Sequence, residues 1–248
     1  MNVVYVLWLR QLKRYFRSRA RIVGSLGQPL LFLVSLGFGF GPVFRQAGQG
    51  NYIQFLAPGV IAMTVLFSAI FNGIELIWDR QFGFLKETLV APVPRLTIMI
   101  GRTLGGATTA VLQGLVVALI CMLVGFRPGG VAGFLGGLLF MVLIAVMFTA
   151  LGTAIASVLS DFQGFQMVMN FLVMPMFFLS GALFPLTGLP RALDLIARVD
   201  PLSYGVDGLR TSLTGLSHFG AGTDLAVLSV LTVVLLLTGS RLFSKIQI

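Results

Sequence analysis

The chain has 248 residues, 57% of them hydrophobic and only 10% charged, with a formal net charge of +9. Soluble domains carry roughly 25% charged residues, so this composition excludes a water-soluble globular fold. No polar stretch is long enough to fold by itself, and the expectation is one all-α membrane domain over 1–248.

The chain opens with "MNVVYVLWLRQLKRYFRSRAR". Its charges follow the apolar residues and no small-residue cleavage site appears, unlike a signal peptide. Read as a helix, Tyr5, Trp8, Leu9, Leu12 and Phe16 share one face, and Arg10, Lys13, Arg14, Arg17 and Arg21 another. That division predicts an interfacial helix over 1–21, its rings in membrane lipid and its cations near anionic headgroups.

A bilayer core needs roughly 20 apolar residues of helix. Charge-free stretches run over 22–44, 46–74, 103–126, 128–160, 162–190 and 225–240, which predicts six spans. The last is short, and its flanking charges are expected to snorkel. With the amino terminus inside, the inner segments hold Arg10, Lys13, Arg14, Arg17, Arg19, Arg21, Arg80, Lys86, Arg95, Arg102, Arg241 and Lys245. The outer segments hold only Arg45, Arg127, Arg191, Arg198 and Arg210. This bias places both termini in the cytoplasm and accounts for the net charge without nucleic acid. Glycines in "GGATTAVLQG" and "GFLGGLLF" read as helix-packing residues.

Several function classes lose support. No G-x-x-x-x-G-K-[ST] is present, and the single cysteine, Cys121, permits no intrachain disulfide. The single histidine, His218, has no second His or Cys nearby for a metal site or a nucleophile. No catalytic, cofactor-binding or metal-binding residue is therefore expected. An ion-coupled secondary transporter wants ionisable groups at the bilayer midplane, and the predicted spans contain almost none. Glu75 is the nearest, one turn before Asp79 and Arg80, and reads as a helix-end residue pairing with Arg80 or snorkelling. Asp161 falls in the short inner loop after the fourth span.

Two connecting segments stand out. The inner loop 78–95, "WDRQFGFLKETLVAPVPR", puts Phe84, Leu85, Thr88 and Leu89 on one face of a short helix that Pro92 and Pro94 stop. It lies on lipid or docks into a partner's groove. In the fifth span Pro175 frees the carbonyl of Phe171 and predicts a kink. Met174, Phe177 and Phe178 are pathway candidates there, although lipid-facing or packing roles also account for them. The outer segment 184–222 predicts a helix over 186–200, bracketed by Pro185 and Pro201. Leu189, Leu193, Ile196 and Ala197 line one side of it, and Arg191, Asp194 and Arg198 the other. A break in lipid leaves backbone groups unsatisfied. The segment therefore lies buried or water-facing as a lid, or rests on the outer leaflet.

"DRQFGFLKETLVAPVPR", "SDFQGFQMVMNFLVMPMFFLSGALFPL" and "LPRALDLIARVDPLSYGVDGLR" carry a resemblance. The chain resembles the permease subunits of ABC transporters, in the type-2 exporter family of six-span permeases paired with a separate ATP-binding subunit. One departure is Asp200-Pro201, where the family often has Asn-Pro. The resemblance implies a homodimer of permeases on two copies of a cytosolic ATP-binding subunit, which alone binds and hydrolyses ATP, in a bacterial inner membrane. It implies ATPase coupling through the helix 1–21 and through Phe82, Phe84, Leu85, Lys86, Glu87 and Leu89. It also implies an outer gate at Phe184, Pro185, Leu189, Leu193 and Ile196. The expected function is export of a hydrophobic or amphiphilic cargo, such as a drug, a lipid or a lipid-linked saccharide. The alternatives are an ion-coupled secondary transporter and a non-transporting scaffold subunit.

Overall fold

The computed structural model describes residues 3–46, 50–84, 93–159 and 161–244. Among them, six helical stretches are long and apolar enough to cross a membrane: Ile22–Gly39, Tyr52–Gln81, Arg95–Leu123, Val131–Val158, Phe162–Leu179 and Ala221–Phe243. The expectation of an all-helical, six-span chain holds.

Helix α1 (Val3–Arg17) leads into α2 (Arg19–Gly39), the first span, and the short α3 (Gly41–Gln46). The second span is α4 (Tyr52–Phe71) continued by α5 (Ile74–Gln81). Helices α6 (Arg95–Leu123) and α7 (Val131–Val158) are the third and fourth. The fifth joins α8 (Phe162–Val168), a π turn (Met169–Val173) and α9 (Met174–Leu179). Two further helices, α10 (Arg191–Val199) and α11 (Pro201–Thr214), precede the last span, α12 (Ala221–Ser244).

Leu7 packs on Gly101, and Gly239 on Met99, so the beginning of α1 and the end of α12 sit at one end of the bundle. That end is called terminal below, and the opposite end distal.

Glycine sets the tightest crossing. Gly73 abuts the backbone of Gly152, and Gly152 that of Ile70, while Gly106 meets Asn72 and Thr149. Without a Cβ, the second span and α7 approach backbone to backbone and α6 lies close against side chains of both, which is how helices gain packing energy in lipid. Asn72 breaks the second span there, its Nδ2 donating to the Ser68 carbonyl at 2.7 Å and the Gly106 carbonyl at 3.2 Å.

Several boundaries differ from the sequence expectation, and four of them matter for the site. The second span begins at Tyr52, not 46, because Asn51 caps it, accepting from the Ile53 N–H at 3.0 Å. The third begins at Arg95, so Arg102 lies inside a helix. The fifth ends at Leu179: 180–190 is non-helical, with left-handed Gly181 (φ 74°) and Gly188 (φ 79°). The sixth is full length because it takes in Asp224, so no snorkelling is needed to complete it.

The predicted kink takes the form of the π turn. Pro175 lacks an N–H for the Phe171 carbonyl and would clash with it, and widening the preceding turn relieves that contact. The Met174 N–H instead reaches five residues back, to Met169.

Candidate functional site

At the terminal end, α1 lies along α6. The face it buries against α6 is a different one from the aromatic face expected to meet lipid. Leu7 and Tyr15 are buried, whereas Tyr5 and Phe16 are 51% and 61% exposed. Trp8 donates through Nε1 to Thr108 Oγ1 at 3.0 Å, and Tyr15 donates to Gln113 Oε1. Polar partners on α6 outcompete ring burial because the rings have lipid available in any case.

For two cations of α1 the expected place beside lipid headgroups is corrected. Arg10 reaches Asp79 Oδ1 at 3.0 Å, and Arg14 lies 3.6 Å from the same atom and 3.7 Å from Glu75 Oε2. Arg102 of α6, itself buried, binds Asp79 Oδ2. Asp79 and Glu75, both buried, thus collect three arginines from two helices. Glu75 does not pair with Arg80, as its spacing suggested. Arg80 turns to the open end of α7, donating to the Ser157 and Leu159 carbonyls at 3.1 Å each. The last carbonyls of a helix lack intrahelical donors and carry the negative end of its dipole. Arg80→Met is therefore expected to cost roughly 1–3 kcal/mol, read as a lower unfolding midpoint of the purified protein.

Directly after this cluster α5 ends at Gln81. Phe82 is 73% and Phe84 52% exposed, and Gly83 takes a left-handed turn (φ 80°) between them. Leu85, Lys86, Glu87 and Leu89 lie outside the described residues. Asp161, on the next loop of the same end, caps α8 by accepting from the Gly164 N–H at 2.6 Å.

Above the charge cluster a cavity of about 690 Å³ opens between α1, α2 and α4. Arg14 and Glu75 stand at one side of it, Gln28 and Thr64 add polar groups, and Phe67 and Phe71 supply apolar wall. Of the three pathway candidates none lines this cavity. Phe177 is fully buried, its ring edge-on to Phe32 at 6.0 Å and to Phe67 at 5.9 Å, so it ties the fifth span to the first two. Met174 is half-buried and Phe178 is exposed.

The distal end is where chain 180–190 folds back on α4. Tyr52 donates to the Leu183 carbonyl at 2.8 Å, and Gly59 faces the Ala182 carbonyl with no room for a side chain. Arg210 of α11 is buried among them. Its guanidinium lies 4.0 Å from the Phe55 ring centroid and donates to the Gly181 carbonyl at 2.9 Å. Burial draws its pKa down to about 10, against the opposing pull of Asp207, so it stays charged at neutral pH.

Helix α11 re-enters the bundle. Gly205 packs on Ile144 near the middle of α7, and Ser212 on Gly133 near its start. Its first residues are therefore the deepest, and it rises toward the distal end. The expected helix over 186–200 is confined to Arg191–Val199, after an N-cap at Pro190. Of its predicted apolar side only Ala197 is buried; Leu189 and Leu193 are half-buried, and Ile196 is 47% exposed beside Leu195 at 56% and Val199 at 83%. Phe184 and Pro185 line an apolar recess of about 370 Å³ against Phe40 and Phe44.

Asp200 serves two helices, ending α10 and capping α11 by accepting from the Leu202 N–H at 2.9 Å. Burial raises its pKa to about 7, against the lowering pull of that hydrogen bond. The folded state then holds a proton that the unfolded chain, with an ordinary carboxylate pKa, has lost. Stability from this group is full at low pH and falls as pH rises from about 4 to about 7. Asp200→Asn keeps the cap and is expected to raise the melting temperature near pH 8 while leaving it unchanged near pH 4.

From the sequence, Arg102 and Arg210 serve only as topology markers, and Asp207 and Asp224 fall outside the predicted spans. All four are buried. A signal exists for one pair: Asp207 and Arg210 are interleaved with Gly205 and Gly208, and paired glycines on a helix mark close packing.

A polytopic helical bundle with an apolar cavity, buried charges at its terminal end and a short helix, α11, packed against the fourth span defines a membrane transport protein. Residues 2–214 match the ABC-2 type transporter family, and the chain belongs to it. It is 26% identical to the transport permease ycf38 of Cyanophora paradoxa over 261 aligned residues, covering 98% of this chain and 88% of that one. It is 27% identical to nodulation protein J of Rhizobium leguminosarum bv. viciae, covering 91% and 87%. To the inner membrane transport permease YadH of Escherichia coli (strain K12) it is 27% identical, covering 92% and 89%. Its general role is that of a membrane transport permease, and the family implies an ATP-binding partner subunit.

Proposed function

We propose that this chain is the permease half of an ATP-driven exporter in a bacterial inner membrane, with both termini cytoplasmic. Two copies form the pathway on two copies of a cytosolic ATP-binding subunit, and the permease itself catalyses nothing. The cargo is hydrophobic or amphiphilic: a drug, a lipid or a lipid-linked saccharide.

The observation that carries this reading is the cavity between α1, α2 and α4. Its apolar wall suits a hydrocarbon or aromatic body, and its hydroxyl, amide and Arg14 groups suit a polar head. The exposure of Phe82 and Phe84 supports the docking site. Two exposed rings beside a charge cluster are an anchor for a groove on a cytosolic partner. Lys86, Glu87, Leu85 and Leu89 complete the proposed contact. At the distal end, Phe184, Pro185, Leu189, Leu193 and Ile196 form the proposed gate, where the outward apolar side chains of α10 meet the second copy. Met174 and Phe178, with Phe177 behind them, are the proposed pathway residues of the fifth span.

The test is a double charge reversal at Lys86 and Glu87 in the purified permease–ATPase complex reconstituted in vesicles. The complex should assemble in the membrane while cargo-stimulated ATP hydrolysis drops at least tenfold. Wild-type stimulation would remove this loop from the mechanism. One observation favours the ion-coupled alternative, the two buried carboxylates Asp207 on α11 and Asp224 on α12. Transport that collapses with an uncoupler at constant ATP would select it.

A further inference from the structure

A cavity of about 360 Å³ lies at the distal end, separate from the one between α1, α2 and α4. Three parts of the chain enclose it: the start of α4 with Asn51 and Phe55, the non-helical stretch with Pro185 and Leu186, and α11 with the turn that follows it. Its volume falls in the range of small-molecule sites. The lining is graded with depth. Asn51, Thr187, Ser217 and His218 are exposed and form the mouth, whereas Phe55, Asp207 and Arg210 are buried and form the floor.

Arg210 is the unusual member. It is 7% exposed, and a buried guanidinium ordinarily has an anion beside it. Its direct partners here are neutral, the Phe55 ring and the Gly181 carbonyl. Among the described residues no carboxylate comes within ion-pair distance of it. Asp207 sits one turn earlier on α11, but both of its oxygens accept backbone N–H groups. They come from His218 at 2.8 and 2.9 Å and from Phe219 at 2.7 Å. That carboxylate holds the turn between α11 and α12. The donor capacity of Arg210 is also largely unused: only Nη2 donates, Nε has no acceptor, and Nη1 donates to no described residue. Buried donors left unpaired cost stability. The floor of the cavity therefore lacks an anion and the acceptor atoms an anion would bring.

We propose that this cavity binds a small organic anion, whose carboxylate or phosphate is seated at Arg210. The body of the ligand lies among Phe44, Phe55 and Leu186, which favours a compact apolar or aromatic group. At the mouth, the Thr187 and Ser217 hydroxyls meet polar substituents. The Asn51 amide nitrogen adds a donor, since the cap of α4 uses only the side-chain oxygen. The ligand touches α4, 180–190 and the turn after α11 at once, so its binding clamps the distal end together. The site stands whichever cargo the permease carries. The anion arrives free from solution or as the head of an anionic lipid, and both present the same group to Arg210.

Arg210→Met would remove the anchor but also the Gly181 hydrogen bond, so the test blocks the cavity at its exposed mouth with Thr187→Trp. The purified protein is melted with millimolar benzoate or phenyl phosphate at constant ionic strength, and with neutral benzyl alcohol as the control. Either anion should raise the wild-type melting temperature by about 3 °C or more, and benzyl alcohol should not. Thr187→Trp should show no rise. Bilayer discs without added acid separate the two sources. Phosphatidylglycerol in place of phosphatidylcholine should stabilise the wild type but not Thr187→Trp where lipid heads fill the site, and should affect both alike where the free acid does. Equal rises with an anion in the two proteins, or an equal rise with benzyl alcohol, overturns the proposal. So does a wild type that responds neither to the two anions nor to phosphatidylglycerol.

Discussion

Asp79→Ala is expected to destabilise the protein by about 3–5 kcal/mol, the cost of leaving a buried charge without its partner. Arg102 is the reason. It is 5% exposed, its Nε has no hydrogen-bond acceptor, and Asp79 is the carboxylate its guanidinium binds. Arg10 and Arg14 suffer less, since their side chains are 41% and 39% exposed and can turn to water. Part of the loss should be recovered by Asp79→Leu combined with Arg102→Met, because well-packed apolar groups often replace a buried ion pair at no cost. The measurement is the unfolding midpoint of the purified permease for wild type, Asp79→Ala and the double variant. A wild-type midpoint for Asp79→Ala would mean that water, not the protein, solvates Arg102.

Gly59→Ala is expected to be nearly as damaging, for a steric reason. A Cβ at this position lands on the carbonyl oxygen, carbonyl carbon and Cα of Ala182. These are backbone atoms, so no rotamer change clears the clash. Either α4 or the segment 180–190 must move, taking with it the Tyr52–Leu183 and Arg210–Gly181 hydrogen bonds. Overpacking costs about 1–3 kcal/mol where side chains can yield and more where they cannot. Gly24→Ala is the control. Nothing lies within 4 Å of that position, and a helical glycine replaced by alanine gains roughly 0.5–1 kcal/mol. Melting temperatures should move in opposite directions for the two variants. If both rise, the packing of 180–190 on α4 is not what holds the distal end closed.

The parts of this fold that are legible in the sequence are those written in hydropathy and proline. Apolar length gives the six spans, and Asp200-Pro201 locates the stop of the short helix α10, whose start falls after Pro190 and not after Pro185. Pro175 announces the disturbance in the fifth span, though not its form as a π turn. Hydropathy fails in two ways. It reads 180–190 as span, since Gly181, Ala182, Leu183 and Phe184 are as apolar as any helix. Only the left-handed glycines and the contacts with α4 decide that this stretch is not helical. It also sends every charge to the surface. Arg102 and Asp79 are 23 residues apart on different helices, and nothing local shows that each supplies what the other's burial requires. For the same reason Asp224 looks like the flank of a short span, when it is the interior of a full one.

Helix α5 holds two neighbouring residues with opposite duties. Asp79 grips arginines on α1 and α6, and Arg80 grips the end of α7. The eight residues of α5 are thus bolted to three separate pillars as well as to the one they continue. Such a piece cannot pivot as a loose joint. If the proposed partner docks at Phe82, a displacement delivered there should be shared among four columns, tilting the floor of the bundle as a single plate.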